Sequence, residues 1–297
     1  MGSSDIEQRL GEDLWALVQQ VGVPLVAARL VTTLPTPKSD RACFRLRFAD
    51  GRVLKGRRAE TIGDADRIET LSRLLDGRFF PAVRVRRGRA LLTEWIDGTR
   101  LRPAHCAVDV IRFVGRLHAS IHRTPAPDAV VWRRSPAERR TRLAERLGEL
   151  VRAGALDGAE AAFAHRLADD HAPTTVTTGL CHGDLCAENI VEDPSGRLVV
   201  VDNDSIRIDA YGYDLARTWH RWPMSARQHA VYAEGYGDSA PWRSFRDHFV
   251  HWAILVLVDA AAFRLRVGVP GVRRPVARLR GLLGGRRAGS LRPAVAG

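Results

Sequence analysis

Gly179-Leu-Cys-His182-Gly183-Asp184-Leu-Cys-Ala-Glu-Asn189 is the stretch that decides how this 297-residue chain is read. A second apolar run, Val199-Val-Val201, follows and delivers Asp202 thirteen residues after Asn189, then Asn203 and Asp204. Short apolar runs bounded by turn residues read as strands, so the segment predicts strand, loop, strand. The loop carries a carboxylate and an amide, and the second run ends on a further carboxylate. A proton acceptor beside hard oxygen donors points to a reaction as well as to a fold.

Outward from this segment the chain changes texture twice. Residues 5–30 carry Ile6, Leu10, Leu14, Leu17 and Val21 at helical steps and predict a helical segment. Phe44, Leu46 and Phe48 alternate with Arg45 and Arg47, which predicts a half-buried strand. Asp50-Gly51 is a hairpin signal before a return strand at Val53-Leu54-Lys55. A helix over Asp64–Leu75 and strands at Ala82–Val85 and Ala90–Trp95 complete a small sheet-rich region. Past Asp97-Gly98 the pattern is helical. Ile111, Val114, Leu117 and Ile121 make one stripe, and Ser135-Pro-Ala-Glu138 is a capping box. Ala161–His171 and most of residues 212–263 also read as helix. The expectation is an α+β chain with a small antiparallel-sheet lobe over residues 1–97, a larger helical lobe over 98–263, and a basic, partly disordered tail over 264–297.

Composition bounds the partners. The net charge is +12, but no acidic residue follows Asp259, and nine arginines there leave only +3 for the rest of the chain. No aromatic residue interleaves with the basic ones after Phe263, and no nucleic-acid-binding motif accompanies them, so nucleic acid is not an expected partner. The four cysteines form no Cys-x-x-Cys pair, which predicts reduced thiols rather than a metal or redox centre. The longest apolar stretch, Ala253–Val258, is too short to span a bilayer, and the N-terminus has no signal-like segment, so a cytoplasmic protein is expected.

His182-Gly183-Asp184 with Asn189, followed by Asp202 and then by Tyr213-Asp214-Leu-Ala216, resembles the aminoglycoside phosphotransferase/choline kinase family, relatives of the protein kinases. The resemblance spans roughly residues 38–216. It implies a bilobal protein-kinase-like fold and transfer of a phosphoryl group from ATP, with Mg²⁺, to a hydroxyl of a small molecule. Such transfer asks for positioning and charge compensation more than covalent help. Asp184 can accept the proton of the attacking hydroxyl, and Asn189 and Asp202 offer oxygen ligands to the metal. The resemblance gives His182 and Asp214 supporting roles: His182 orders the loop and Asp214 holds its backbone.

Lys55 is the second pillar. The chain has only two lysines, Lys38 and Lys55, among its 46 basic residues. A compact ammonium suits crowded phosphates better than a planar guanidinium. The family implies that a strand lysine binds the α- and β-phosphates with a helix carboxylate to orient it; Glu69 is the candidate and Glu60 the alternative. Lys38-Ser39-Asp40-Arg41 occupies the place of a nucleotide-covering loop, although it lacks glycine, with Ser39 as a phosphate contact. The backbone of Glu94 and Ile96 falls where the adenine edge is read. Asp204 departs from the family pattern as an added carboxylate, either near the metal or substrate or capping a turn.

The acceptor is less legible. All four tyrosines and four of seven tryptophans lie within residues 211–252. Tyr211, Trp219 and Tyr236 are candidates for a substrate platform, against the alternative that they are helical core. Arg217, with His220 and Arg221, is a candidate reader of an acidic substrate group, against the alternative of surface pairing. A sugar, glycan or amino-alcohol kinase is the favoured reading. An antibiotic O-phosphotransferase is the alternative within the class, and a catalytically inactive nucleotide-binding regulator is the alternative outside it.

Overall fold

The computed structural model describes residues 3–31, 42–75, 79–103, 106–126 and 135–284. The chain divides into two compact units. Unit 1 comprises residues 1–100 and 190–204, and unit 2 comprises residues 101–189 and 205–297. The segment that carries Asp202 returns to unit 1, which hydropathy along the chain does not announce.

Unit 1 is built on a five-stranded antiparallel sheet. Its strands are β1 (Leu25–Leu30), β2 (Ala42–Phe48), β3 (Val53–Arg58), β4 (Val83–Arg87) and β5 (Ala90–Glu94), in the order β1-β2-β3-β5-β4. The alternation in β2 is realised as drawn from sequence, with Phe44, Leu46 and Phe48 inward. They pack with Leu10, Leu14, Leu17 and Val18 from two N-terminal helices, α1 (Ser3–Leu10) and α2 (Glu12–Gln20).

The single helical segment expected over residues 5–30 is corrected here. Gly11 adopts φ 77° and separates α1 from α2; Gly22 at φ 71° and Pro24 then lead the chain into β1, which pairs with β2. Both glycines occupy backbone space that side-chain-bearing residues rarely enter. Helix α3 (Ile62–Leu74) starts where Thr61 Oγ1 accepts from the Asp64 amide at 3.0 Å. A short three-stranded sheet, β6 (Thr99–Arg100), β8 (Ile190–Glu192) and β9 (Leu198–Val200), brings the later segment into this unit. Ser39, Asp76 and Gly77 lie outside the described residues.

Unit 2 is helical, with one two-stranded ribbon of β7 (Thr178–Cys181) and β10 (Arg207–Ala210). Its helices are α4 (Val108–Arg123), α5 (Pro136–Arg152), α6 (Gly158–Asp170), α7 (Tyr211–Arg221), α8 (Ala226–Tyr236), α9 (Ala240–Asp247), α10 (Phe249–Arg266) and α11 (Arg273–Leu283). The capping box of α5 forms: Glu138 N donates to Ser135 Oγ at 3.1 Å and Ser135 N to Glu138 Oε2 at 2.7 Å. Helix α10 is the core element, with Trp252 and the whole run Ala253–Val258 buried. No single described helix is long and apolar enough to cross a membrane. Residues 264–284, expected to belong to a tail, include the end of α10 and all of α11, whose Val276, Leu279 and Leu282 are buried.

Helices α4 and α8 approach closely through two glycines. A Cβ on Gly115 would lie 2.2 Å from the Tyr232 carbonyl oxygen, and one on Gly235 would lie 2.1 Å from that of Arg112. This contact places two residues of each helix opposite one another, and those four side chains support the site.

Candidate active site

The loop after β7 is held from beneath by one carboxylate. Asp214, in the first turn of α7, is fully buried. Its Oδ2 accepts from His182 N at 2.8 Å and its Oδ1 from Gly183 N at 2.7 Å. Gly183 sits at φ 76°, and a Cβ there would lie 2.7 Å from the Ser205 carbonyl oxygen, so both backbone and space call for glycine. His182 is buried as well, and its Nδ1 accepts from the Asp184 amide at 3.2 Å.

Asp214 is in turn fixed by a pair of histidines one helical turn apart on α4. Its Oδ2 accepts from His118 Nε2 at 3.0 Å and His122 Nε2 at 3.2 Å. A carboxylate only accepts, so both Nε2 atoms carry protons; the His122 ring, neutral in the fold, then offers Nδ1 as acceptor. Tyr236 Oη donates to it at 2.6 Å, and Tyr232 Oη, one turn away on α8, is hydrogen-bonded to His118 Nδ1 at 2.5 Å. The His118, His122 and Asp214 ligand atoms converge as metal ligands do, but this proton pattern leaves neither histidine a lone pair for a cation.

Burial, with His118 alongside, pushes His122 down to about 4 against the pull of Asp214. Burial also opposes ionisation of Asp214, yet the contacts with His118 and His122 outweigh it and hold this carboxyl well below its usual range. The sequence reading missed both histidines. The available signal was their four-residue spacing on the stripe of Ile111, Val114, Leu117 and Ile121, matched by that of Tyr232 and Tyr236.

Asp184 is half-buried and held by three side chains of unit 2. Its Oδ1 accepts from Arg217 Nη2 at 2.8 Å and pairs with Arg221 Nη1 at 3.2 Å, and its Oδ2 accepts from Asn189 Nδ2 at 3.3 Å. Arg217 Nε also donates to the Gly183 carbonyl at 3.1 Å. Asn189 ends the single turn Ala187–Asn189 and gives a second bond from Nδ2 to the Asp184 carbonyl at 2.9 Å. Its amide nitrogen is therefore committed to the loop. Its Oδ1, with no hydrogen bond among the described residues, remains available as an oxygen ligand.

The other expected residues fall in unit 1. Asp202 is exposed and adopts φ 63°, the one positive φ of a non-glycine residue among those described. Strained backbone of this kind concentrates at functional positions. Asp204 lies in the single turn Asn203–Ser205. Lys55 is central in β3, opposite Arg45 and Thr93, and makes no ion pair among the described residues. Glu69 lies instead with arginines, binding Arg73 Nη2 at 2.6 Å and Arg86 Nη1 at 3.2 Å. Glu94 closes β5 and lies 3.7 Å from Arg197, and Ile96 follows in half-buried coil.

The aromatic segment is packed into unit 2. Tyr236 is buried on His122, Tyr211 stacks on the same ring at 4.3 Å and donates to the His122 carbonyl at 2.7 Å, and Trp219 packs edge-on against Phe249 at 4.9 Å. These side chains are engaged with protein rather than set out as a platform. Cys181 and Cys186, which bracket the loop, are buried; burial raises both thiols, Cys186 to about 12, so they are poor nucleophiles.

Residues 42–248 match the model of a family described as a phosphotransferase enzyme family, and the chain belongs to that family. No curated protein matches it in sequence. Its fold is similar to that of a choline kinase from Streptococcus pneumoniae, with TM-score 0.66 and 12% identity over 91% of this chain and 99% of the other. A choline kinase from Cryptosporidium parvum Iowa II gives 0.64 and 11% over 90% and 91%. A macrolide 2'-phosphotransferase from Brachybacterium faecium gives 0.58 and 19% over 90% and 96%. The α+β, protein-kinase-like class expected from sequence is therefore the observed one, and the family to which the chain belongs is one of phosphotransferase enzymes.

Proposed function

We propose that this chain transfers the γ-phosphoryl group of ATP, bound with Mg²⁺, to a hydroxyl of a small molecule in the cytoplasm. One observation carries the reading most of the way: Asp184 is a carboxylate positioned by Arg217, Arg221 and Asn189 on a loop whose backbone amides are tied to Asp214.

In this reading Asp184 Oδ2 accepts the proton of the attacking hydroxyl while Oδ1 stays with the arginines. Arg217 and Arg221 keep the carboxylate oriented and add positive charge beside the transferred group. Asn189 Oδ1 and the Asp202 carboxylate would hold Mg²⁺, an all-oxygen donor set that fits a hard cation. When bound, Mg²⁺ offsets the negative charge that gathers on the phosphate oxygens. Lys55 binds the α- and β-phosphates, and Asp214 and His182 keep the loop in register. Glu94 and Ile96 present backbone to the base.

The test is a coupled ADP-release assay over choline-like alcohols, sugars, sugar acids, nucleosides, macrolides and aminoglycosides. Asp184→Ala is expected to abolish transfer while leaving Mg-ATP binding within a few-fold. Full activity in Asp184→Ala overturns the assignment. Tight Mg-ATP binding without turnover of any acceptor favours a nucleotide-binding regulator.

A further inference from the structure

Arg217 and Arg221 belong to a larger group of guanidiniums that the catalytic reading does not use up. Four residues apart on α7, they present to the same side of that helix and meet at Asp184 Oδ1. Arg278, from α11, donates through Nη1 to the His220 carbonyl and ring, both at 3.1 Å, and lies over the Trp219 ring at 3.9 Å. Arg264, in the last turn of α10, donates through Nη1 to the Ala260 carbonyl at 3.1 Å, and its guanidinium has no ion pair among the described residues. Arg274, in the first turn of α11, is exposed.

Among the described residues, Asp184 is the carboxylate ion-paired with any of these five, and Glu188 acts on Arg221 without pairing to it. Their mutual repulsion registers on the groups themselves. Burial and then Arg274 lower Arg278 to about 10, and burial followed by Arg221, Arg217 and Arg274 lowers Arg264. His220, buried among them, falls to about 3. These five guanidiniums outnumber the carboxylates that act on them, Asp184 and Asp214 on Arg217 and Asp184 and Glu188 on Arg221, which leaves a standing excess of positive charge around His220 and the α7 arginines that meet Asp184. Folding alone gives no return for this arrangement, since like charges this near oppose it.

We propose that this arginine group binds an acidic substituent, a carboxylate or phosphate, on the acceptor, so that the acceptor's hydroxyl is delivered to Asp184. Arg221 and Arg264 are the specificity-determining residues, with Arg274 and Arg278 supporting the field. The guanidinium fork matches either substituent in a bidentate manner. The same field repels cationic acceptors such as choline-like alcohols and aminoglycosides. The inference rests on the proposed phosphotransfer at Asp184 and narrows its substrate to hydroxylated anions.

Two measurements test it. In the first, the protein is saturated with Mg²⁺ and a non-hydrolysable ATP analogue and titrated calorimetrically with inorganic sulfate. Wild type is expected to bind one sulfate. Arg221→Gln and Arg264→Gln are each expected to weaken that binding by about tenfold, Arg264→Gln without changing analogue affinity, and Arg221→Lys to restore part of it. Absence of sulfate binding by the wild type, or undiminished wild-type binding by both glutamine variants, overturns the proposal.

In the second, ADP release is compared across glucuronate, glucose 6-phosphate, glucose and glucosamine, and across glycerate, glycerol and ethanolamine. Preference for the acidic member of either set, lost through a rise in acceptor KM in Arg264→Gln, supports the proposal. Preference for neutral or cationic members overturns it while leaving the kinase reading intact. If no acceptor is turned over, sulfate binding alone decides the arginine site, and it is the kinase reading that fails.

Discussion

Replacing Asp214 with asparagine removes a charge and almost nothing else, which makes it a sharp probe of how the loop before Asp184 is held. The carboxylate takes four donors: His118 Nε2, His122 Nε2 and His182 N at Oδ2, and Gly183 N at Oδ1. An amide has one acceptor oxygen. Its better orientation puts that oxygen at the position of Oδ2 and points the NH₂ group at the Gly183 N–H. One charge-assisted bond, worth about 1.5–3 kcal/mol, is then lost, and a buried donor is left facing another donor, at about 1–3 kcal/mol more. The expected destabilisation is about 3–5 kcal/mol.

The damage is local before it is global. Amide exchange at His182 and Gly183 should accelerate first, and kcat should fall by about a hundredfold, because a displacement of about 1 Å at Asp184 is enough to cost that much. Urea unfolding of Asp214→Asn, exchange at these two amides and turnover on one acceptor together make the assay. A stability change below about 1 kcal/mol with unaltered exchange would refute the reasoning and mean that the loop is anchored elsewhere.

Gly115→Ala and Gly235→Ala are each expected to cost about 1–3 kcal/mol, because the new methyl meets backbone of the facing helix, outweighing a helix-propensity gain of at most about 1 kcal/mol. Gly281→Ala, in α11 with nothing within 4 Å of the new methyl, should instead stabilise; equal signs in the three melting curves would contradict the packing argument. His122 and His220 stay neutral in the fold down to about 4 and about 3 but take up a proton near 6.5 when unfolded. The unfolded chain therefore binds more protons in that window, so stability is full above 6.5 and falls as the pH drops through it. The slope is at most about 1.4 kcal/mol per pH unit for each histidine, and urea midpoints that stay level from neutral pH to pH 4 count against this. Asp202→Asn should keep its positive-φ backbone and its stability while weakening Mg²⁺-dependent activity. Asp202→Val should lose about 1–2 kcal/mol as well, measurable by thermal melting.

Much of unit 1 was legible because its signals are local. The alternation of Phe44, Leu46 and Phe48 is the period of a strand, and Asp50-Gly51 is a turn whatever surrounds it. The same local logic failed at residues 5–30, where helical spacing of apolar residues ran on past Gly11 and Gly22. Periodicity reports which side of an element is apolar, but not where positive-φ glycines interrupt it or that Leu25–Leu30 has β2 to pair with. In unit 2, the stripe on α4 was visible while the two histidines on it were not. Their partner Asp214 lies 96 and 92 residues further along the chain.

The sequence by itself supplied the candidate set: His182, Asp184, Asn189, Asp202 and Asp214 at fixed spacing, and Lys55 in a chain nearly free of lysine. Those residues stand out as candidates because phosphate and metal chemistry restricts residue type and loop length together. Only the tertiary structure decided what faces them. It buried Tyr236 and Trp219 in unit 2 and packed Tyr211 against His122, tied the loop to Asp214 through two backbone amides, and gathered arginines from α7, α10 and α11 around His220. Charge proximity across three helices is set by how those helices pack, and no local pattern along the chain encodes it.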